Sequence, residues 1–147
     1  AEAAPRIPAH AHVVIVGDGP ERSALARAYG SGRIRFLGWR EYDEAIALAA
    51  RSHVCIVPSV CEEACSTTVL EALALGKQCV ALARGGTPEL SAYQRYPGQL
   101  QLAASMRELV DTLLLQLAGA PVVLAPAPSF GADCARAAPQ LLDFYRE

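Results

Sequence analysis

The stretch from Val54 to Gly76 constrains the fold of this chain more than any other. It opens with Val54-Cys55-Ile56-Val57, an apolar and largely β-branched run of the length and type of a buried strand. Pro58 ends that strand, because it has no backbone donor and a fixed φ. Ser66, Thr67 and Thr68 stand where a helix begins, since short side-chain oxygens take up the first unpaired N–H groups. From Thr68 to Leu75 the strong helix formers Leu, Ala and Glu dominate. Gly76 falls at the left-handed position that closes a helix. The reading is strand, loop, helix, with Glu63 in the loop and Glu71 in the helix, eight residues apart.

The same alternation runs along the rest of the chain. His12 to Val16 reads as a strand, Gly17-Asp18-Gly19 as a tight turn, and Pro20 as the opening of a helix to about Tyr29. Arg33 to Leu37 is a second strand, with Gly38-Trp39-Arg40 at its carboxyl end, followed by a helix over Glu41–Arg51. Gln78 to Leu82 is a fourth strand. Arg84-Gly85-Gly86 is then a flexible loop, and Thr87-Pro88-Glu89 reads as cap, first residue and early-turn carboxylate of a helix. Leu100 to Leu102 is a weak edge strand, and Ser105-Met106-Arg107-Glu108 is a capping box opening a helix through about Leu117. A proline-rich loop from Ala118 to Pro128 leads to a last helix over about Phe130–Tyr145.

Five strands alternating with helices predict an α/β fold, a doubly wound, Rossmann-like parallel sheet. A length of 147 residues suits one domain, placed at 12–147 behind an Ala/Pro-rich linker or disordered end at 1–11. Net charge of −2 and a pI near 5.9 give no electrostatic basis for binding nucleic acid or an anionic membrane. No apolar run reaches the length of a membrane span and no signal peptide is evident, so a cytoplasmic location is expected. The five cysteines, an odd number, read as reduced thiols. Cys61 and Cys65 have the spacing of a metal pair, but no second pair or nearby His completes a site, so no metal is expected.

In a doubly wound sheet, ligands bind outside the carboxyl ends of the strands. A helix opening at Ser66–Thr68 turns its free N–H groups and positive dipole end toward that crevice, which suits a phosphate. Glu63 and Glu71 edge the same crevice, and carboxylates accept hydrogen bonds from hydroxyls. A polyhydroxylated ligand carrying a phosphate, such as a sugar nucleotide, meets both requirements. The Gly17-x-Gly19 turn does not make a dinucleotide fingerprint, because Arg22 occupies the place of its third glycine.

Pro58-Ser59, Glu63, Glu71-Ala72 and Gly76 resemble the donor-binding motif of the retaining GT-B glycosyltransferases of the family 4 type, the glycosyl transferases group 1. The resemblance extends to Val13-Val14-Ile15-Val16-Gly17-Asp18-Gly19-Pro20, to Arg35-Phe36-Leu37-Gly38 and to Gly85-Gly86-Thr87-Pro88-Glu89-Leu90, in the family's order. It implies the C-terminal, donor-binding domain of an enzyme of polysaccharide or glycoconjugate synthesis. Such an enzyme transfers a hexosyl group from a UDP-, GDP- or ADP-linked sugar to an acceptor held by a separate N-terminal domain. It implies that Glu63 is catalytic, hydrogen-bonding the donor sugar and supporting charge at its anomeric carbon. Ser66, Thr67 and Thr68 would offer N–H groups to the distal phosphate, and Glu71 would hold the ribose hydroxyls. Gly17 and Gly19 would border the nucleotide, Ser59 would belong to the donor site, and Gly38, Trp39 and Arg40 would hold the base. Trp39 reads equally well as a packing residue. No cofactor and no metal are implied, since backbone N–H groups meet the diphosphate.

The chain also departs from the family pattern. The family has one more strand–helix unit before Val13, with a Gly-Arg and a Lys-Gly whose cations clamp the diphosphate, and neither pair occurs in Ala1–His10. With that first unit missing, the expected strand order is 2-1-3-4-5, unless a neighbouring chain fills the gap. Ala64-Cys65-Ser66 replaces the usual Gly-Phe-Gly. The chain alone is therefore expected to be inactive. The alternative is a non-catalytic binding or scaffolding module derived from a GT-B domain. An unrelated flavodoxin-like nucleotide or flavin binder would leave the Glu63/Glu71 spacing unexplained.

Overall fold

A computed structural model of the chain describes residues 4–118. The expected helix over Phe130–Tyr145 and nearly all of the loop before it lie outside those residues. Five strands alternate with helices: β1 (Val13–Val16), α1 (Arg22–Tyr29), β2 (Ile34–Gly38), α2 (Tyr42–Arg51), β3 (Val54–Val57), α3 (Thr67–Ala74), β4 (Gln78–Leu82), β5 (Leu100–Ala103) and α4 (Met106–Ala118). Short 3-10 helices cover Ala4–Arg6 and Thr87–Tyr93. All strand pairs are parallel, so this is the α/β, Rossmann-like architecture that the alternation predicts.

The sheet is divided. β1 pairs with β2, starting at Val13 opposite Ile34, while β3, β4 and β5 form a separate ladder with Val54 opposite Gln78 and Cys79 opposite Leu100. The expected order 2-1-3-4-5 is thus corrected at one junction, because β1 and β3 make no ladder with each other. Among the described residues, each of these two strands has a ladder partner on one edge only. The break falls at the position where the resemblance puts its additional strand.

The core sits in the three-stranded half. β4 is buried along Cys79–Leu82, and its alternating side chains feed two clusters. Cys79 and Ala81 join Val57, Leu100 and Leu90 under Val69, Ala72 and Leu73 of α3. Val80 and Leu82 join Ala103 and Leu109 of α4 on the other face. The period-2 alternation of a strand therefore covers both faces with helices, as parallel sheets require. β1, by contrast, exposes Val14, Ile15 and Val16 at 44, 39 and 37%.

Helix ends carry the chain into its turns. α3 closes in a Schellman motif, with Gly76 at φ 72°, the Gly76 N–H bonded to the Leu73 carbonyl and the Lys77 N–H to the Ala72 carbonyl, both at 2.9 Å. Gln99, fully buried, supports the same end: its Nε2 donates to the carbonyls of Leu73 (2.9 Å) and Lys77 (3.1 Å). At α4 the Glu108 N–H donates to Ser105 Oγ at 3.2 Å, half of the expected box. The other half is displaced, since Glu108 Oε2 accepts from the Ala104 N–H at 2.8 Å. Pro20 lies in a turn before α1, and Thr87 is the first residue of its 3-10 helix rather than the cap, which is Gly86. Residues 4–11 fold back on the domain: Ile7 and Ala11 are buried, Arg6 pairs with Asp111 of α4, and Arg33 Nη1 donates to the Ile7 carbonyl at 3.0 Å.

Candidate functional site

Three loops at carboxyl ends of parallel strands carry the residues singled out in the sequence. Gly17 and Gly19 follow β1. Gly38 closes β2, and Trp39 and Arg40 follow it. Ser59, Glu63 and Ser66 lie between β3 and α3, with Thr67, Thr68 and Glu71 on α3 itself.

The first two loops are in direct contact, the Gly17 N–H donating to the Gly38 carbonyl at 2.9 Å. Beside them Arg22, at the start of α1, lays its guanidinium over Gly38, where a Cβ would come within 3.0 Å of Cζ and Nη2. Arg22 Nη1 lies 3.6 Å from Asp18 Oδ2, and among the described residues its buried Nε has no hydrogen-bond partner. A cavity of about 440 Å³ opens here between the β1 end and α1, lined by Gly17, Asp18, Gly19, Arg22 and Phe36 among others. Trp39, at the β2 end, is 62% exposed. Arg40 turns back, its Nη1 donating to the Trp39 carbonyl at 3.0 Å, and it lines a second cavity against α2.

In the third loop, Ser59 Oγ donates to Glu63 Oε1 at 2.8 Å, which fixes the carboxylate from the strand end. The loop after β4 closes over it: the Gly86 N–H donates to the Glu63 carbonyl at 2.8 Å and the Gly85 N–H to Glu62 Oε2 at 2.6 Å. The two glycines are required by this contact. A Cβ on Gly85, which has φ 50°, would meet the Glu63 carbonyl oxygen at 2.2 Å, and one on Gly86 would meet that of Ala64 at 2.1 Å. Their N–H groups are thus used between the loops.

Ser66 is the N-cap of α3, but the expected side-chain cap is not made. Ser66 is buried at 3% exposure and its hydroxyl makes no bond to the helix start. Among the described residues the opening N–H groups of α3 therefore receive no cap from the Ser66 side chain, and Thr67 and Thr68 at that end are exposed. A turn further on, Glu71 is half-buried. Burial raises its carboxyl above the ordinary value of 4.5, against the opposing effect of a hydrogen bond from Tyr42 of α2. That bond ties the start of α2 to α3. Burial pushes Cys79 up to about 12, with Cys55 adding to the rise, so the core thiols stay protonated and unreactive. All four described cysteines are free, and no group of three metal-ligating side chains occurs among the described residues.

Arg22, Tyr42 and Glu62 did not stand out in the sequence. Only Arg22 left a signal, as the residue standing where a fingerprint glycine would be.

Fold and site together define a Rossmann-like α/β domain with its polar residues gathered at strand carboxyl ends. The chain belongs to the group 1 glycosyltransferases: the model of the family described as Glycosyl transferases group 1 matches residues 1–118. No curated protein matches the chain. Among the described residues no helix is long and apolar enough to cross a membrane.

Proposed function

We propose that this domain binds the nucleotide-diphosphate sugar of a retaining glycosyltransferase, in the manner of a GT-B C-terminal domain, and delivers its hexosyl group to an acceptor on a separate N-terminal domain. The observation that carries the reading is the uncapped start of α3 between Glu63 and Glu71. Helix N–H groups suit the leaving diphosphate and stabilise the charge that develops on it. Glu63, held by Ser59, faces the sugar and supports positive charge at the anomeric carbon. Glu71, already accepting from the Tyr42 hydroxyl, receives the ribose hydroxyls as further donors. Gly17, Gly19, Gly38, Trp39 and Arg40 form the base end, with the exposed indole as a stacking surface. Arg22 adds a cation at that end, its guanidinium lying on Gly38. The diphosphate is met by N–H groups, so the reading requires neither metal nor cofactor. The site is expected to work in the cytoplasm, where nucleotide sugars are the donors.

Calorimetric titration with UDP-, GDP- and ADP-sugars tests this, with Glu71→Ala as control. Micromolar binding of one nucleotide, weakened about tenfold or more in the variant through lost hydrogen bonds to a charged acceptor, is the expected result. No binding by any donor overturns it for the chain as it stands. That outcome would favour a domain that needs its other half to bind, or a second reading, a scaffolding module without turnover.

A further inference from the structure

We infer that Glu62 is a positioning residue, the strut that sets Glu63 for the donor sugar; the inference rests on the donor-site reading above. Glu62 and Glu63 are adjacent but face different tasks. Glu63 receives Ser59 Oγ through its side chain, whereas the Glu62 carboxylate leaves the site and accepts the Gly85 N–H at 2.6 Å, twenty-three residues away in sequence. A charge-assisted bond of this kind is short and stronger than a neutral one. One residue on, the Gly86 N–H donates to the Glu63 carbonyl at 2.8 Å.

These two bonds clamp consecutive residues of one loop to consecutive glycines of the other. The backbones lie so close that a Cβ on Gly85 would stand 2.2 Å from the Glu63 carbonyl oxygen and 2.8 Å from its nitrogen. Glu63 is thereby fixed at three points: side chain, carbonyl and preceding residue. The Glu62 strut is made by a side chain, so substituting Glu62 removes it while Glu63 and the two glycines keep their identities. Its loss frees the Gly85 end of the clamp and lets the Glu63 backbone drift, which acts on the sugar and leaves the nucleotide end untouched.

The test compares Glu62→Ala and Glu62→Gln with the unaltered chain by two readouts. The first is the Gly85 amide in NMR. Its downfield shift and slowed hydrogen exchange are expected to disappear in Glu62→Ala and to persist in Glu62→Gln, whose amide oxygen still accepts. The second is calorimetry with a nucleotide sugar and with the nucleotide diphosphate alone. Glu62→Ala is expected to weaken the sugar nucleotide about tenfold, leave the diphosphate unchanged, and be rescued by Glu62→Gln. An unchanged Gly85 amide in Glu62→Ala overturns the strut. Equal weakening of both ligands overturns the positioning role in favour of a general structural one. Absence of binding by the unaltered chain overturns the donor-site reading, and the strut is then decided by the amide alone.

Discussion

At the scale of single residues, the site is built from carboxylates with unlike surroundings. Glu63 is exposed and held by a hydroxyl, while Glu71 is half-buried beneath Tyr42, and burial raises its carboxyl above 4.5. A carboxyl that holds its proton more tightly folded than unfolded lowers stability as pH rises through that interval. Urea unfolding between about pH 4 and pH 7 should therefore show Glu71→Gln losing part of the wild-type decline in stability, with the two chains converging at the acid end. A matching slope in both would exclude Glu71 as its source. The Gly85 contact makes a second prediction, because any side chain there must displace the Glu63 backbone. Gly85→Ala is expected to cost about 1–3 kcal/mol in denaturant unfolding and to weaken nucleotide-sugar binding with it. Gly85 stood out in the sequence as part of a loop, but its bond to Glu62 was not legible there, since it spans two loops. The Glu63/Glu71 spacing, by contrast, was legible, because both residues belong to one strand–loop–helix unit.

Elements carry the stability, and they do so unequally. α3 buries Val69, Ala72 and Leu73 over β4, and its carboxyl end rests on Gln99. Leu73→Ala is expected to destabilise the chain by about 2–5 kcal/mol, read as a lower denaturant midpoint. Gln99→Leu removes the donor to the Leu73 carbonyl at the α3 end and to the Lys77 carbonyl beyond it, and is expected to cost about 1–3 kcal/mol, with far-UV dichroism little changed. The helix itself was readable from Leu, Ala and Glu between Thr68 and Leu75, and its end from Gly76. The buried glutamine was not, because only the approach of the β5 entry to the α3 end makes it a cap. The Ser66 cap failed for a similar reason: tertiary packing buries that serine, and local propensity does not foresee burial.

For the whole molecule, the division between β1 and β3 is the dominant feature. Parallel strands are stable when both faces and both edges are covered. β4 meets that condition, while β1 exposes three of its four residues and, among the described residues, pairs on one side only. Hydrogen exchange should therefore be slowest in Cys79–Leu82 and much faster in Val13–Val16, the latter opening as a unit at lower free energy. Uniform protection across all five strands would contradict the divided sheet. A chain extended upstream by a strand–helix unit is expected to slow exchange in β1 and to raise the melting temperature, by pairing edges that have no partner strand among the described residues.

The amino-acid sequence by itself determined the alternation of strands and helices, the parallel α/β class, the loop that carries Glu63 and the helix that carries Glu71. Each of these follows from periodicity, turn residues and helix-end chemistry acting within a few residues. Tertiary structure alone decided which strands share a ladder, which glycine faces which loop, and that Tyr42 meets Glu71, Glu62 meets Gly85 and Arg22 lies on Gly38. Those outcomes depend on contacts between segments distant in the chain, whose energies are set by burial and close approach rather than by local preference.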